Sequence, residues 1–180
     1  MRRHHLPLIR TIVSVDGHAI RLITFLHDEP IMPDTPLILV LNGPNLNLLG
    51  SRETDIYGTQ SLADIEAAVR RRADTVGLSV EFLQTNSEAQ LVDWVQGARG
   101  RAAGLIVNAG AYSHTSVALL DALRMVDVPI VEVHLSNIFR REEFRHHSYV
   151  SQAATGMITG FGPHGYELAV EAVTKLIAKA

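Results

Sequence analysis

Tyr57, Arg52, His134 and Glu132 are the residues of this chain whose types and spacing suit the movement of protons. A free tyrosine has a pKa of about 10, so only about a thousandth is phenolate at pH 7, but an adjacent guanidinium favours the anion. Arg52 stands five residues before Tyr57 in one polar loop, which makes the pair a candidate base. Taken alone, an exposed tyrosine beside an unrelated arginine is the ordinary reading of such a pair. His134 closes an apolar run, and Glu132, two residues back, shares its face of an extended chain. A carboxylate beside an imidazole favours the imidazolium, a proton donor near neutrality. The plain alternative is a structural histidine at a strand end.

Cations and amides accompany these four. Asn45 lies in the loop of Arg52 and Tyr57, and Asn108, Gly110 and His114 follow another apolar run. Thr115 or Ser116 then opens a helix whose free amides are expected to help hold an anion. Arg141 and Arg145 are four apart, so a helical turn puts both on one face toward a polyhydroxylated acid, with Glu142 and Glu143 as their alternative partners. Tandem His146 and His147 point in different directions and make a poor metal pair.

Several other chemistries are struck out. No Gly-x-Gly-x-x-Gly follows the first apolar run and no Walker loop is present, which argues against dinucleotide, nucleotide or phosphate-ester binding. No Gly-x-Ser-x-Gly elbow occurs. Receiver domains need clustered acids at strand ends, where this chain has Asn42 and Asn108. The lysines are Lys175 and Lys179, both in the terminal helix, so Schiff-base catalysis from the crevice is not expected. With no cysteine, disulfides and thiolate metal sites are excluded.

These residues need elements to carry them. Leu37 to Leu41 is apolar without alternation, the pattern of a strand buried on both faces of a parallel sheet. The loop from Asn42 to about Gln60 is longer than the usual two to six residues of such connections, which suits a substrate-contacting lid. Ser61 with Asp64 makes a capping-box start, and Leu62, Ile65, Val69, Ala73 and Val76 recur at helical spacing up to Gly77. Further strands are expected at Ser79 to Leu83, Gly104 to Val107, Pro129 to Val133 and Gly156 to Thr159. Helices are expected after Ser87, with Trp94 as packing, from Thr115 or Ser116 through Val126, and from about Tyr166 to Ile177.

Five such units predict a three-layer, doubly wound α/β sandwich with a five-stranded parallel sheet, flavodoxin-like in its order 2-1-3-4-5. That order brings together the ends of strands one, three and four, whose loops hold the polar residues above.

At 180 residues, 47% hydrophobic and 19% charged, the chain suits one filled core. A net charge of -3 without long basic runs gives no reason to expect nucleic acid, and no apolar segment approaches the roughly 20 residues that span a bilayer. The cytoplasm is the default expectation. Residues 1–33 hold four of the nine histidines and three of the seven prolines, and are read as an extension outside a catalytic domain at 34–180, with Met32 a candidate initiator.

The runs Leu41-Asn-Gly-Pro-Asn-Leu-Asn-Leu-Leu-Gly50, Arg52-Glu53, Tyr57-Gly58, Asn86 to Gln90, Asn108 to Ser116, Glu132 to Asn137 and Arg141 to Ser148 resemble the type II 3-dehydroquinate dehydratases, in the family's order, over about Leu37 to Ile177. Thr54 departs from the proline common after Arg-Glu in that family. The resemblance implies a lyase of the shikimate pathway that converts 3-dehydroquinate to 3-dehydroshikimate by anti elimination through an enolate, needs no cofactor, and assembles as a dodecamer of trimers. Carried over by residue, it implies that Tyr57 removes the C2 proton, Arg52 favours its phenolate, and His134 protonates the departing C1 hydroxyl. It further implies that Asn45 holds a water near the enolate oxygen and that Asn108 grips the substrate carboxylate with the Leu135 and Ser136 backbone. The resemblance also implies that His114 and Arg145 contact ring hydroxyls, that Arg141 is a second lid residue and that Asp121 serves a neighbouring subunit's site. The competing expectation is a non-catalytic flavodoxin-like module that binds a quinate-like acid.

Overall fold

The computed structural model describes residues 35–50 and 60–179. Five parallel strands form one sheet in the order β2-β1-β3-β4-β5: β1 Leu37–Asn42, β2 Ser79–Gln84, β3 Gly104–Asn108, β4 Ile130–His134 and β5 Gly156–Thr159. The central strands β3 and β4 are buried at every residue, whereas β2, at an edge, is only half-buried. This is why β1 and β3 read as unbroken apolar runs up to their final asparagine, while β4 is broken only by Glu132 before its terminal His134.

Alternate side chains of these strands feed two cores. Ile38, Val40, Ile106, Val131 and Val133 pack under the helices α1 (Leu62–Thr75) and α4 (His164–Ile177). Leu39, Leu41, Leu105 and Val107 pack under α2 (Glu88–Gly97) and α3 (Val117–Leu123), with Trp94 half-buried against them. The flavodoxin-like three-layer sandwich expected from the sequence is the observed architecture.

The helix starts follow their caps. Ser61 Oγ accepts from the Asp64 amide at 3.2 Å while Asp64 Oδ2 accepts from the Ser61 amide at 2.9 Å, a complete capping box. Ser87 Oγ and Ser116 Oγ accept from the amides of Gln90 and Leu119 in the same manner. α3 ends at Leu123, earlier than the expected Val126, and α4 begins two residues before the expected Tyr166. Among the described residues, no helix is long and apolar enough to cross a membrane.

Two glycines hold the loop after β1 against the loop after β3. Gly43 donates its amide to the Asn108 carbonyl at 2.8 Å, and a Cβ at residue 43 would stand 2.2 Å from the Ala109 oxygen. Gly110 adopts φ +57° beside the backbone of Pro44. Only residues without a side chain let these backbones approach so closely.

Candidate active site

The carboxyl ends of β1, β3 and β4 open on a cleft of about 180 Å³. Its lining includes Asn45 and Leu46 after β1, Asn108 and His114 at and after β3, and His134, Ser136, Arg141 and Arg145 at and after β4. The three loops therefore meet as the strand order requires.

His134 ends β4 and is buried. Its Nε2 lies 2.7 Å from Oε1 of Glu132, whose side chain is fully buried on the same face of the strand. Ser148 Oγ donates to the same oxygen at 2.6 Å, and Ser151 Oγ donates to the other. Burial pulls the Glu132 carboxyl upward, but the hydrogen bond and charge of His134 with the two serine hydroxyls outweigh it and hold the group below the usual carboxylate range. An ionised carboxylate only accepts, so Nε2 of His134 carries a proton, and Nδ1 is the ring nitrogen that can exchange one. The serines give no local pattern in the sequence and are supplied by the segment between β4 and β5, Ser151 from its 3-10 turn Val150–Gln152.

His114 stacks on His134, with ring centroids 5.9 Å apart and planes 17° from parallel. Its Nδ1 lies 2.8 Å from the His147 carbonyl, which fixes the proton on that nitrogen and leaves Nε2 as an acceptor in the neutral ring. Burial pushes the His114 imidazole below its ordinary value, and the charges of His134 and Arg145 add to this against the opposing His147 bond.

Arg145 Nε lies 2.9 Å from Glu142 Oε2, and Arg141 Nε lies 3.5 Å from the same oxygen. The hydrogen bond of Glu142's own backbone, and after it that of Arg145, hold that carboxyl below the usual range. No continuous helical turn joins the two arginines, contrary to expectation. Ile138–Arg140 and Glu143–Arg145 are separate 3-10 turns, and Arg141 between them is extended at φ -103° and ψ -167°. Both still line the cleft and share Glu142 as a partner. Arg141 Nη1 also reaches Ser136 Oγ at 3.5 Å.

Asn45 takes the left-handed conformation at φ 67°, which asparagine tolerates better than most residues, and its amide donates to Asn86 Oδ1 at 2.9 Å. Asn108 Nδ2 donates to the Tyr166 hydroxyl at 2.8 Å, and its Oδ1 accepts from the Gly110 amide at 3.3 Å. Leu135 and Ser136 complete this wall.

Three expectations change or fall elsewhere. The amide of Leu119 at the start of α3 is taken by Ser116 Oγ, and neither residue lines the cleft, so this helix start is not an anion holder for it. Asp121 is exposed on α3 and is not among the cleft residues of its own chain. Tyr57, Arg52 and Thr54, and the extension at 1–33, lie outside the described residues. Tyr166, fully buried and bonded to Asn108, was not anticipated; its sequence signal is a single tyrosine among the apolar positions of a terminal helix.

The family described as Dehydroquinase class II matches residues 36–174. A 3-dehydroquinate dehydratase of Methylobacterium radiotolerans is 56% identical over 147 residues, covering 82% of this chain and 97% of that protein. A 3-dehydroquinate dehydratase 2 of Pseudomonas aeruginosa is 58% identical over 137 residues, covering 76% and 93%. The crystal structure of a type II dehydroquinase from Propionibacterium acnes superimposes with a TM-score of 0.76 at 45% identity, covering 78% of this chain and 97% of that one.

Proposed function

The chain belongs to the class II dehydroquinase family, and on that premise we propose that it is a hydro-lyase of the shikimate pathway, which takes 3-dehydroquinate to 3-dehydroshikimate and water. The observation that carries this reading is the meeting, in one cleft, of a carboxylate-backed histidine with two amides and two guanidiniums. Such a set suits a polyhydroxylated carboxylic acid.

In this reading the phenolate of Tyr57, favoured by Arg52, takes the proton from C2. The electrons pass into the C3 carbonyl as an enolate, and a water held by Asn45 donates to its oxygen. The enolate then re-forms the ketone, the C1=C2 bond closes and the C1–O bond breaks. His134 supplies the proton with which the C1 hydroxyl leaves as water. The Glu132 carboxylate behind the ring stabilises the imidazolium that must make this delivery. Asn108 with the backbone of Leu135 and Ser136 receives the substrate carboxylate, while His114 and Arg145 receive ring hydroxyls and Arg141 closes from the lid side. Of these described groups, Asn45, Asn108, His114, His134, Leu135, Ser136, Arg141 and Arg145 line the cleft, and Glu132 is buried behind His134.

Purified protein mixed with 3-dehydroquinate should give the ultraviolet absorbance of a conjugated acid. Binding of the substrate without that signal would instead indicate the non-catalytic module.

We further infer assembly into a dodecamer of trimers in which Asp121 serves a neighbour's site. Val117 and Asp121, one helical turn apart on α3, are exposed in support. Light scattering on the eluting protein tests this, and a strict monomer overturns it. Residues 1–33 are read as lying outside the catalytic domain, in keeping with a family match that begins at residue 36. Their removal should leave kcat/KM unchanged. Cytoplasmic placement belongs to the same reading and is tested by cell fractionation.

A further inference from the structure

Asn42 and Asn108 are register partners at the ends of β1 and β3, and both side chains are buried. Each continues the face that carries Val40 and Ile106, the face covered by α1 and α4. Tyr166, on the first turn of α4, is fully buried and places its hydroxyl between the two amides. Burial pushes that phenol up, well beyond any value at which it would ionise, so it acts here only as an O–H group.

The direction of every bond in this group follows from its outermost member. Asn42 Nδ2 donates to the Leu83 carbonyl of β2 at 3.0 Å, which turns Oδ1 toward the tyrosine. A carbonyl oxygen only accepts, so the single hydroxyl proton of Tyr166 is given to Asn42 Oδ1, at 2.6 Å. The phenol oxygen then has only lone pairs left, and it can meet Asn108 solely through Nδ2, at 2.8 Å. On the other side of the same amide, Oδ1 of Asn108 is taken by the Gly110 amide at 3.3 Å. One hydrogen of Asn108 Nδ2 is spent on Tyr166, and the second remains for a ligand in the cleft that Asn108 lines.

We propose that Tyr166 is a positioning residue for the cleft. By fixing the hydrogen-bond direction from Asn108 through Asn42 to Leu83, it makes Asn108 present an N–H donor, and not its carbonyl, to the acidic group of the substrate. The chemical class selected is an anionic acceptor, a carboxylate, and the proposal rests on the reading that Asn108 receives that group. Rotation of the Asn108 amide would set its carbonyl against an anion and lose the Gly110 bond at once. Both α4 and the β2 edge thereby contribute to recognition at a cleft that neither of them lines. Buried polar chains of this kind fix one arrangement because each reversal leaves a partner unsatisfied.

The test is a double-mutant cycle on KM, with 3-dehydroquinate as the probe. Tyr166→Phe, which keeps the ring and deletes the hydroxyl, should raise KM about tenfold while kcat stays within about twofold. In an Asn108→Ala background the same substitution should leave KM unchanged, because the tyrosine acts through that amide. A neutral analogue, with the carboxylate replaced by a hydroxymethyl group, should inhibit wild type and Tyr166→Phe alike. An equal KM penalty in both backgrounds, or an equal loss for the neutral analogue, overturns the proposal. Should Tyr166→Phe fail to fold, Asn42→Ala serves instead. It keeps the phenol but removes the acceptor that fixes its direction, and is expected to raise KM for the acid and not to alter inhibition by the neutral analogue. No change there overturns the proposal equally. If Asn108→Ala alone leaves KM unaltered, it is the reading of Asn108 as the carboxylate holder that fails.

Discussion

Glu132 Oε1 lies 2.7 Å from Nε2 of His134, two residues along β4 and with both side chains buried. Against the upward pull of burial, His134 itself and then the hydroxyls of Ser148 and Ser151 hold the carboxyl below the usual range, so a negative charge is fixed behind the ring that lines the cleft. Glu132→Gln keeps the shape but removes the charge, and kcat is expected to fall about a hundredfold, the lower end of what a positioned acid contributes. His134→Ala should cost more, while exchange of the C2 proton with solvent continues; stopped-flow rates and deuterium uptake separate the two steps.

The same carboxylate links stability to pH. Its folded value lies below the ordinary one near 4.5, so the native state binds fewer protons than the unfolded chain between those values. The stabilisation it brings is whole above about pH 4.5 and is lost as the pH falls through the folded value. Urea midpoints of wild type and Glu132→Gln should converge below that window; a constant difference down to pH 2 would contradict the assignment.

His114 gives a second window, at higher pH. Its folded value is lowered from 6.5, chiefly by burial, so the unfolded chain binds more protons as the pH drops past that point. Stability due to this residue is complete above about 6.5 and declines below it. His114→Gln, whose amide can still donate to the His147 carbonyl, should show a smaller loss of Tm between pH 7.5 and 5.5.

Arg141 and Arg145 share Glu142, an exposed residue. Exposed pairs of this kind contribute little, so Glu142→Gln should change KM by less than about threefold, downward, as the guanidiniums gain freedom to meet substrate. Arg145→Ala should raise KM by more than that. A large loss of kcat/KM in Glu142→Gln would show that the carboxylate does more than compete for the two cations.

Gly43→Ala tests the contact between the first and third loops. The added Cβ has no room beside the Ala109 oxygen, and the backbone must shift at a cost of about 1–3 kcal/mol. Tm should fall by several degrees and kcat/KM with it, since Gly43 bonds the Asn108 backbone and lies two residues before Asn45, and both asparagines line the cleft. Unaltered melting would mean that the loops adjust freely.

Tyr57→Phe should lower turnover at least about a hundredfold while a carboxylate ligand still binds, as measured by calorimetry. Borohydride added with substrate should leave activity intact, because an enolate route forms no imine to reduce. A trapped adduct would point to amine chemistry instead.

Local pattern in the chain was enough to place the five strands and four α-helices of the described residues to within a few residues, with caps at Ser61 and Ser87 and a third at Thr115 or Ser116. Unbroken apolar runs, serines three residues ahead of a helical amide and glycine stops act over a few residues, and such signals survive in any sequence that must bury a sheet on both faces. The pairing of Glu132 with His134 was legible for the same reason, since alternation along a strand puts residues two apart on one face. The tertiary structure decided what depends on closure through space. It breaks the expected turn around Arg141 into two 3-10 turns and gathers both arginines on one glutamate. It also sets Ser148 and Ser151 on a carboxylate 16 and 19 residues away, and Tyr166 on an asparagine 124 residues away. No periodicity announces such partners, because a hydrogen bond across the core constrains only two positions and the packing that aligns them is spread over the whole chain.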